Sequence, residues 1–386
     1  MFKTLLSLLP MFVCAFWCIV LAMPGAKHNR THTFLSLFML LNTILYFSHA
    51  LYFNKEFTLL YHLEPLYYTI SLAGYPLYYL YLLLLTDPRK IGWRDCLILL
   101  PSLLLGLLAF IINGTIFHWE SQNFALGIRE NFIHLPSYEG TLRKVLLAVI
   151  KIVYALQVPL VIYYGYKSIS LYRKKLNDFY SNEEGKDLSH IRNLLVCFII
   201  TALLSFTVNL IGKEYFAQSS FILLFPSLIF GTFLFLIGYY GMKQEFTALD
   251  FERDENSGEK AEEEFIFKSG NSTCTNSVLK QIAWTLNKSM VEKELFKTKE
   301  LRITDLTFLV GTNRTYLSQA INQEFGCSFS EFVNQYRIAY AKKLMKDETL
   351  SICEIADMAG FASESTFFRI FKKATGMSPD RWRKKK

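Results

Sequence analysis

Long apolar runs alternate with short polar segments over the first 240 positions of the chain. The runs are Leu5–Met23, Phe34–Phe53, Pro65–Leu85, Cys96–Ile112, Val145–Ile169, Leu194–Ile211 and Phe221–Tyr240. Most approach the roughly 20 residues that a helix needs to cross the apolar core of a bilayer. Long buried helices of a soluble domain are the alternative, but seven such runs would leave too little polar surface. The pattern therefore predicts seven transmembrane helices.

A different pattern, which occurs twice, occupies the last part of the chain. The first copy runs Asp305, Leu306, Leu309, Gly311, Asn313, Leu317, Phe325, Gly326, and the second runs Glu354, Ile355, Met358, Gly360, Ser363, Phe367, Thr375, Gly376. Each copy predicts a short helix, a turn that begins at a glycine, a polar cap and a second helix. We expect Asn313 and Ser363 to cap the second helices.

Apolar residues at helical spacing between Ser330 and Met345 predict a helix that connects the two units. At 1.5 Å per residue this helix would be about 24 Å long, enough to hold both units on one face of a DNA duplex. Two recognition helices about 34 Å apart can enter successive turns of the major groove.

The same residues resemble the DNA-binding domain of the AraC/XylS family. The resemblance is carried by Leu317, the INQEFG run from Ile321, Phe329, Phe332, Tyr336-Arg337, Ala341, Leu344 and the segment EIADMAGFASESTFFRIFKKATGMSPDRWR from Glu354. It covers about the last hundred residues and implies a tandem helix-turn-helix domain that reads double-stranded DNA. It also implies RNA polymerase and a second copy of the chain as partners.

Candidate DNA contacts follow from the second helix of each unit. Base-reading candidates are Arg314, Thr315, Ser318, Gln319, Glu364, Ser365, Thr366 and Arg369. The resemblance assigns Thr315, Ser318 and Gln319 to base edges. Arg369 is the best candidate for guanine, with a phosphate contact as its alternative, and Thr366 can instead share the capping role. Phosphate candidates are Lys372, Lys373, Arg381 and Arg383.

Composition agrees with a membrane protein and offers no catalytic site. Of 386 residues, 52% are hydrophobic and 16% aromatic, too apolar for a pair of ordinary soluble domains. The seven cysteines are scattered without a paired framework, which favours reduced thiols. His28 and His32 are four residues apart, but no acid follows in a metalloprotease arrangement. We predict no enzyme activity, metal site or cofactor.

Charge in the connecting segments predicts the orientation. Lys and Arg are concentrated in the first, third and fifth loops, whereas Lys55 and Lys213 of the second and sixth loops each lie beside an acid. Positively charged loops face the cytoplasm, so the N-terminus is expected outside and the C-terminus inside. The first run resembles a cleaved signal peptide in some respects. Its removal would leave the DNA-binding end on the wrong side, and we therefore expect it to be retained.

Residues 244–264 form an acidic stretch, with nine Asp or Glu against two Lys or Arg, a net charge of −7. Residues 271–386 carry nineteen Lys or Arg against twelve Asp or Glu, a net of +7 that suits phosphate contact. The acidic stretch has two interpretations. It is either a solvated spacer or a mask for the basic domain.

Polar groups at membrane depth are the candidates for signal sensing: Asn42, His49, Gln157 and Asn209. Their alternative role is structural, through packing of a neutral histidine and hydrogen bonds between helices. Glu64 and Lys151 fall near the ends of spans, where snorkelling explains them.

The sequence therefore predicts an all-α protein with three parts. These are a seven-helix transmembrane bundle over residues 1–243, an acidic linker over 244–270 and an AraC-type DNA-binding domain over 271–386. The expected function is transcription regulation from the bacterial inner membrane, controlled by a signal ligand that the sequence does not identify. Two alternatives remain open: a transporter fused to the regulator, and a regulator released by proteolysis of the linker.

Overall fold

The computed structural model describes residues 2–23, 30–89, 91–115, 138–182, 189–244, 246–255 and 276–385. Within these ranges the chain is helical and contains no β-strand, as the all-α prediction requires. It divides into two compact units. Unit 1 comprises residues 1–169 and 188–245, and unit 2 comprises residues 170–187 and 246–386.

Unit 1 is built from seven long helices, each of which covers most of one apolar run. They are α1 (Phe2–Ala22), α2 (Arg30–Phe53), α3 (Phe57–Thr86), α4 (Leu100–Thr115), α5 (Tyr138–Phe179), α6 (Ser189–Ile211) and α7 (Ser220–Lys243). Short turns at Trp93–Cys96 and Leu97–Leu99 precede α4, and another at Lys213–Ala217 follows α6. Seven helices in the described chain are long and apolar enough to cross a membrane.

Most helix contacts in unit 1 join helices that are consecutive in the chain, and α7 also returns to α1. Helix α1 packs against α2 and α7, α2 against α3, α3 against α4, and α6 against α7. A cluster of Leu72, Ala109, Ile112, Leu146 and Ile150 joins α3, α4 and α5. Because each helix satisfies its own backbone hydrogen bonds, only polar side chains need hydrogen-bond partners on neighbouring helices.

A buried ion pair lies in the same part of unit 1. Arg143 Nη1 donates to Glu64 Oε2 at 2.9 Å, and the two side chains are only 4% and 9% exposed. The Tyr68 hydroxyl donates to the other Glu64 oxygen at 2.8 Å. The interpretation of Glu64 as a snorkelling side chain is therefore wrong, because its carboxylate is neutralised inside the helix bundle.

Unit 2 contains the predicted tandem repeat. Its helices are α8 (residues 248–255), α9 (Asn276–Glu292), α10 (Ile303–Val310), α11 (Arg314–Phe325), α12 (Phe329–Leu344), α13 (Ile352–Met358), α14 (Glu364–Thr375) and α15 (Pro379–Lys385). Helices α10 and α11 form the first helix-turn-helix, α13 and α14 form the second, and α12 connects them. Residues 170–179 of α5 also belong to this unit. The acidic stretch is thus helical over residues 248–255, while residues 256–270 lie outside the described residues.

Separate cores support the two helix-turn-helix units. Helix α9 packs on α10 and α11 and buries Leu279, Ile282, Leu286 and Met290. The second unit is organised around a cluster from α12, α13, α14 and the turn between α13 and α14 that includes Ile338, Ile355, Phe361, Phe367 and Phe371. These Phe side chains are part of the core.

Arg337, in the middle of α12, is 1% exposed and is among the largest fully buried side chains of the described chain. Its guanidinium donates to the carbonyls of Phe296 at 2.8 Å and Thr298 at 2.7 Å, and to Ser181 Oγ at 3.1 Å. Burial lowers its pKa to about 10, so the group remains charged at neutral pH. Arg337 therefore ties the connecting helix to two other backbone segments of unit 2.

Gly360 closes the turn of the second helix-turn-helix at φ +83°, in the left-handed region that favours glycine. A Cβ added there would lie 2.6 Å from the Phe296 carbonyl oxygen and 2.7 Å from that of Lys297. Gly376, at the end of α14, has a similar φ of +78° but nothing within 4 Å of an added Cβ. Substitutions at the two glycines therefore separate the cost of a left-handed backbone from the cost of a steric contact.

We expect Gly376→Ala to lower the free energy of unfolding of the DNA-binding domain by about 1–2 kcal/mol, the cost of a left-handed alanine. Gly360→Ala should cost about 1–3 kcal/mol more, since its methyl group meets two carbonyl oxygens. Urea-dependent pulse proteolysis of the full chain in micelles, followed through a C-terminal tag, measures both. Equal losses would show that the backbone at Phe296 and Lys297 moves aside without cost.

Candidate DNA-binding surface

Both recognition helices begin with a side-chain cap. The Asn313 side chain accepts a hydrogen bond from the Tyr316 amide at 2.9 Å at the start of α11. The Ser363 hydroxyl accepts one from the Thr366 amide at 3.3 Å at the start of α14. These caps end the preceding turns and fix the direction in which the first residues of each recognition helix point.

The structure brings most base-reading candidates of α11 to one exposed side. Thr315 and Gln319 are exposed and Ser318 is half-buried, whereas Leu317 on the opposite side is completely buried. A hydroxyl, an amide and a methyl group at this spacing can contact several base edges. Base reading by these three residues stays a prediction.

Arg314 differs from its neighbours on α11 because other parts of unit 2 hold its guanidinium. The group forms an ion pair with Glu255 of α8 and lies 5.0 Å from the centroid of the Phe179 ring. Its side chain is 22% exposed, and burial lowers its pKa. These contacts hold the guanidinium inside unit 2, unlike the exposed side chains of Thr315 and Gln319.

Helix α14 presents Glu364, Ser365 and Arg369 as exposed side chains. The hydroxyl of Thr366 interacts with Ser363 Oγ at 3.2 Å, so Thr366 takes part in the cap, the alternative role that the sequence allowed. Arg369 is the one cation among these candidates, and its planar fork matches the two acceptors of guanine.

A cavity of about 620 Å³ lies beside α14. Its lining includes Arg369, Thr366 and Lys373, together with Arg173, Asn177 and Lys342. The cationic side chains from α5, α12 and α14 give this cavity a positive lining, although it also contains Glu331. Positive potential of this kind attracts the DNA backbone.

The four phosphate candidates have different surroundings. Lys372 and Arg381 are exposed. Lys373 forms an ion pair with Glu331 at 3.0 Å, and this hydrogen bond is the main reason why the pKa of the Glu331 carboxyl is lowered. Arg383 is half-buried, and its Nη1 donates to the Leu350 carbonyl at 2.9 Å, so it also ties the C-terminal helix to the segment before α13. Its contact with phosphate stays a prediction.

The sensing candidates all belong to unit 1, and two of them share a cavity. Asn42 and His49 line one cavity of about 130 Å³. Gln157 is absent from its lining, and its side-chain amide is buried without a described hydrogen-bond partner. The side chain of Asn209 lies outside the described residues.

Comparison with known proteins identifies the domain. A family model described as "Helix-turn-helix domain" matches residues 307–385. The "Probable transcription factor PqrA" of Proteus vulgaris is 31% identical over 93 residues, which are 24% of this chain and 76% of PqrA. The chain belongs to the AraC family. It is therefore a DNA-binding helix-turn-helix transcription regulator of the AraC type.

Two further similarities cover the chain in part. The "HTH-type transcriptional regulator ExsA" of Pseudomonas aeruginosa is 30% identical over 114 residues, 28% of this chain and 40% of ExsA. A solved structure, the C-terminal domain of AraT, a response regulator from Geobacillus stearothermophilus, is 28% identical. It covers 30% of this chain and 89% of that structure, with a TM-score of 0.25. This TM-score adds no argument about the fold. Relatives of this kind are transcription regulators, which are usually not enzymes.

Sequence reasoning missed the buried position of Arg337. A charged residue on the polar side of an amphipathic helix is usually solvated. The sequence feature that could have drawn attention to Arg337 is the Tyr336-Arg337 pair, which is part of the AraC resemblance. Its position in the motif does not by itself distinguish a structural arginine from a DNA contact.

We expect Arg369→Ala and Lys372→Ala to weaken DNA binding in different ways. Loss of Arg369 should cost about 1–3 kcal/mol at the preferred sequence and relax the choice of one base. Loss of Lys372 should weaken all sequences alike and reduce the slope of log K against log salt by about 1. In vitro selection with each full-length variant, followed by salt titrations, distinguishes these results. A uniform loss in Arg369→Ala would assign that residue to a phosphate.

Proposed function

We propose that this chain is an integral membrane transcription regulator, with its AraC-type domain in the bacterial cytoplasm and a signal-sensing seven-helix bundle. The main support is the surface of unit 1. Large apolar side chains on its helices are strongly exposed, including Phe12 at 53%, Leu104 at 55%, Phe110 at 65%, Leu156 at 63% and Leu203 at 58%. A soluble protein rarely leaves so much apolar surface in water, whereas a lipid bilayer covers it.

Charge supports the direction of insertion. Loops rich in Lys and Arg connect α1 to α2, α3 to α4 and α5 to α6, and the helix count places them on the same side. The positive-inside tendency assigns that side to the cytoplasm and the N-terminus to the exterior. The DNA-binding domain then follows α7 into the cytoplasm.

Signal control requires two states of the protein with different affinities for the signal. Helix α5 supports a route between sensing and DNA binding, because its residues up to Ile169 belong to unit 1 and those from Ser170 belong to unit 2. Double-stranded DNA and lipid are the immediate partners. RNA polymerase and a second copy of the chain are the partners that we propose for transcription control.

The proposal is tested by combining membrane fractionation with genome-wide DNA occupancy of the tagged full-length protein. We expect the protein to resist extraction by alkaline carbonate while occupying discrete sites, with those sites reduced at least tenfold in Arg369→Ala. Reporter fusions after Lys55 and after Arg94 should place these positions on opposite sides of the membrane.

Several outcomes would contradict parts of the proposal. Extraction by carbonate would exclude integral insertion without affecting the family assignment. Occupancy only by a soluble C-terminal fragment, with no full-length protein at the sites, would favour proteolytic release. Unchanged peaks in Arg369→Ala would remove that residue from sequence reading.

A further inference from the structure

The cavity of unit 1 lies among six of the seven long helices. Its lining includes residues of α1, α2, α3, α5, α6 and α7, together with Lys213 and Phe216 of the turn between α6 and α7. A ligand in this position would touch most of the elements whose packing defines the bundle. Binding there can therefore favour one helix arrangement over another.

Lys213 gives this cavity its charge. Its ammonium group donates a hydrogen bond to the Tyr67 hydroxyl and lies 5.7 Å from the centroid of the Tyr52 ring. None of the described residues that line the cavity is an Asp or Glu. A lysine ammonium has three donor protons. The contacts described for Lys213 thus include a neutral acceptor and aromatic rings but no carboxylate.

The remaining lining has two kinds of surface. Asn42, His49, Ser71, Thr201 and Ser205 supply polar groups, while Phe38, Phe198, Leu223, Phe230 and Leu234 supply apolar surface. A ligand with an anionic head and an apolar tail matches both. Because such amphiphiles partition into membranes, they can reach a site within a bundle from the bilayer or from the exterior.

We propose that this cavity binds a small amphiphilic carboxylate, with its carboxylate on Lys213 and its tail between the aromatic side chains. This inference rests on the proposed sensing role of unit 1 and names the chemical class of its signal. A cationic ligand is disfavoured because Lys213 would repel it without an opposing carboxylate in the described lining.

The test uses the full chain in lipid nanodiscs, with octanoate as the probe and octanol as its uncharged counterpart. Octanoate should raise the thermal midpoint by several degrees at saturation, and octanol should not. Lys213→Gln should weaken octanoate binding at least tenfold, while Lys213→Arg should retain most of it. Lys55→Gln, which removes an exposed lysine outside this cavity, is the matched control and should bind like the unchanged protein.

Equal shifts with octanoate and octanol, or equal binding by Lys213→Gln and the unchanged protein, would overturn the carboxylate site. DNA affinity is then measured separately, with and without octanoate. Binding of octanoate without any change in DNA affinity would contradict signal control by unit 1 and leave the ligand site intact. The two proposals can therefore fail independently.

A second inference comes from unit 2 and concerns the ion pair between Arg314 and Glu255. Asp254, next to Glu255, lies 3.4 Å from Arg302 and accepts a hydrogen bond from the Tyr180 hydroxyl at 2.5 Å. Asp178 also acts electrostatically on Arg314. The end of α5 and the acidic helix α8 thus surround the first residue of recognition helix α11.

We infer that α8 restrains the first helix-turn-helix, because its Glu255 carboxylate occupies the Arg314 guanidinium. Helix α8 then acts as a mask within the same chain. The acidic helix α8 would compete with DNA for this guanidinium, because a duplex that takes up Arg314 replaces the Glu255 carboxylate as its partner. The second recognition helix contains Arg369 on an exposed side and is outside this contact.

Glu255→Gln in the full chain should increase affinity at least threefold for a duplex recovered by in vitro selection. Glu252→Gln provides the matched control, because it removes the same charge from α8 at a position with no described ion pair. In an Arg314→Ala background, Glu255→Gln should have no effect. Equal affinities of Glu255→Gln and the unchanged protein would overturn the mask. An equal gain in Glu252→Gln would show a general charge effect instead.

Discussion

The buried guanidinium of Arg337 is the interaction on which the DNA-binding unit most depends. It joins α12 to the carbonyls of Phe296 and Thr298 and to Ser181, and it is 1% exposed. A charge in such a place is stable only when its donors are matched, as they are by these oxygens. Because both helix-turn-helix units join α12, this network sets the position of each recognition helix. The close backbone approach at Gly360 involves the same Phe296 carbonyl, so the second turn depends on the same segment.

Unit 1 follows a related rule with different chemistry. Its helices satisfy their own backbone hydrogen bonds, and the buried charge of Glu64 is matched by Arg143 at 2.9 Å. Lys213, which lines an internal cavity, is half-buried, and its described contacts are with the Tyr67 hydroxyl and the Tyr52 and Tyr67 rings. Structural charges in a low-dielectric interior are normally paired within the protein. A ligand carboxylate is the partner that we propose for Lys213.

The sequence predicted the helices well because each has a strong periodic or compositional signal. Seven apolar runs, two turn glycines and two polar caps correspond to elements of the structure at nearly the expected places. Tertiary partners were not predictable in the same way. Arg337 and Arg383 look like surface cations along the chain, yet the first is buried and the second donates to Leu350. Glu64 meets its partner 79 residues away, a separation at which local pattern carries no information.

The two recognition helices therefore differ in what surrounds them, although their sequences are related by a repeat. In the first, Arg314 lies between a carboxylate and an aromatic ring, and its transfer to DNA requires both contacts to break. In the second, Arg369 is exposed beside a positively lined cavity. A regulator with this asymmetry can keep its second unit available for DNA while the first is withheld. Under the proposed mask, transfer of Arg314 to DNA is opposed by the free energy of its contacts with Glu255 and Phe179, which acidic residues of the same chain help to set.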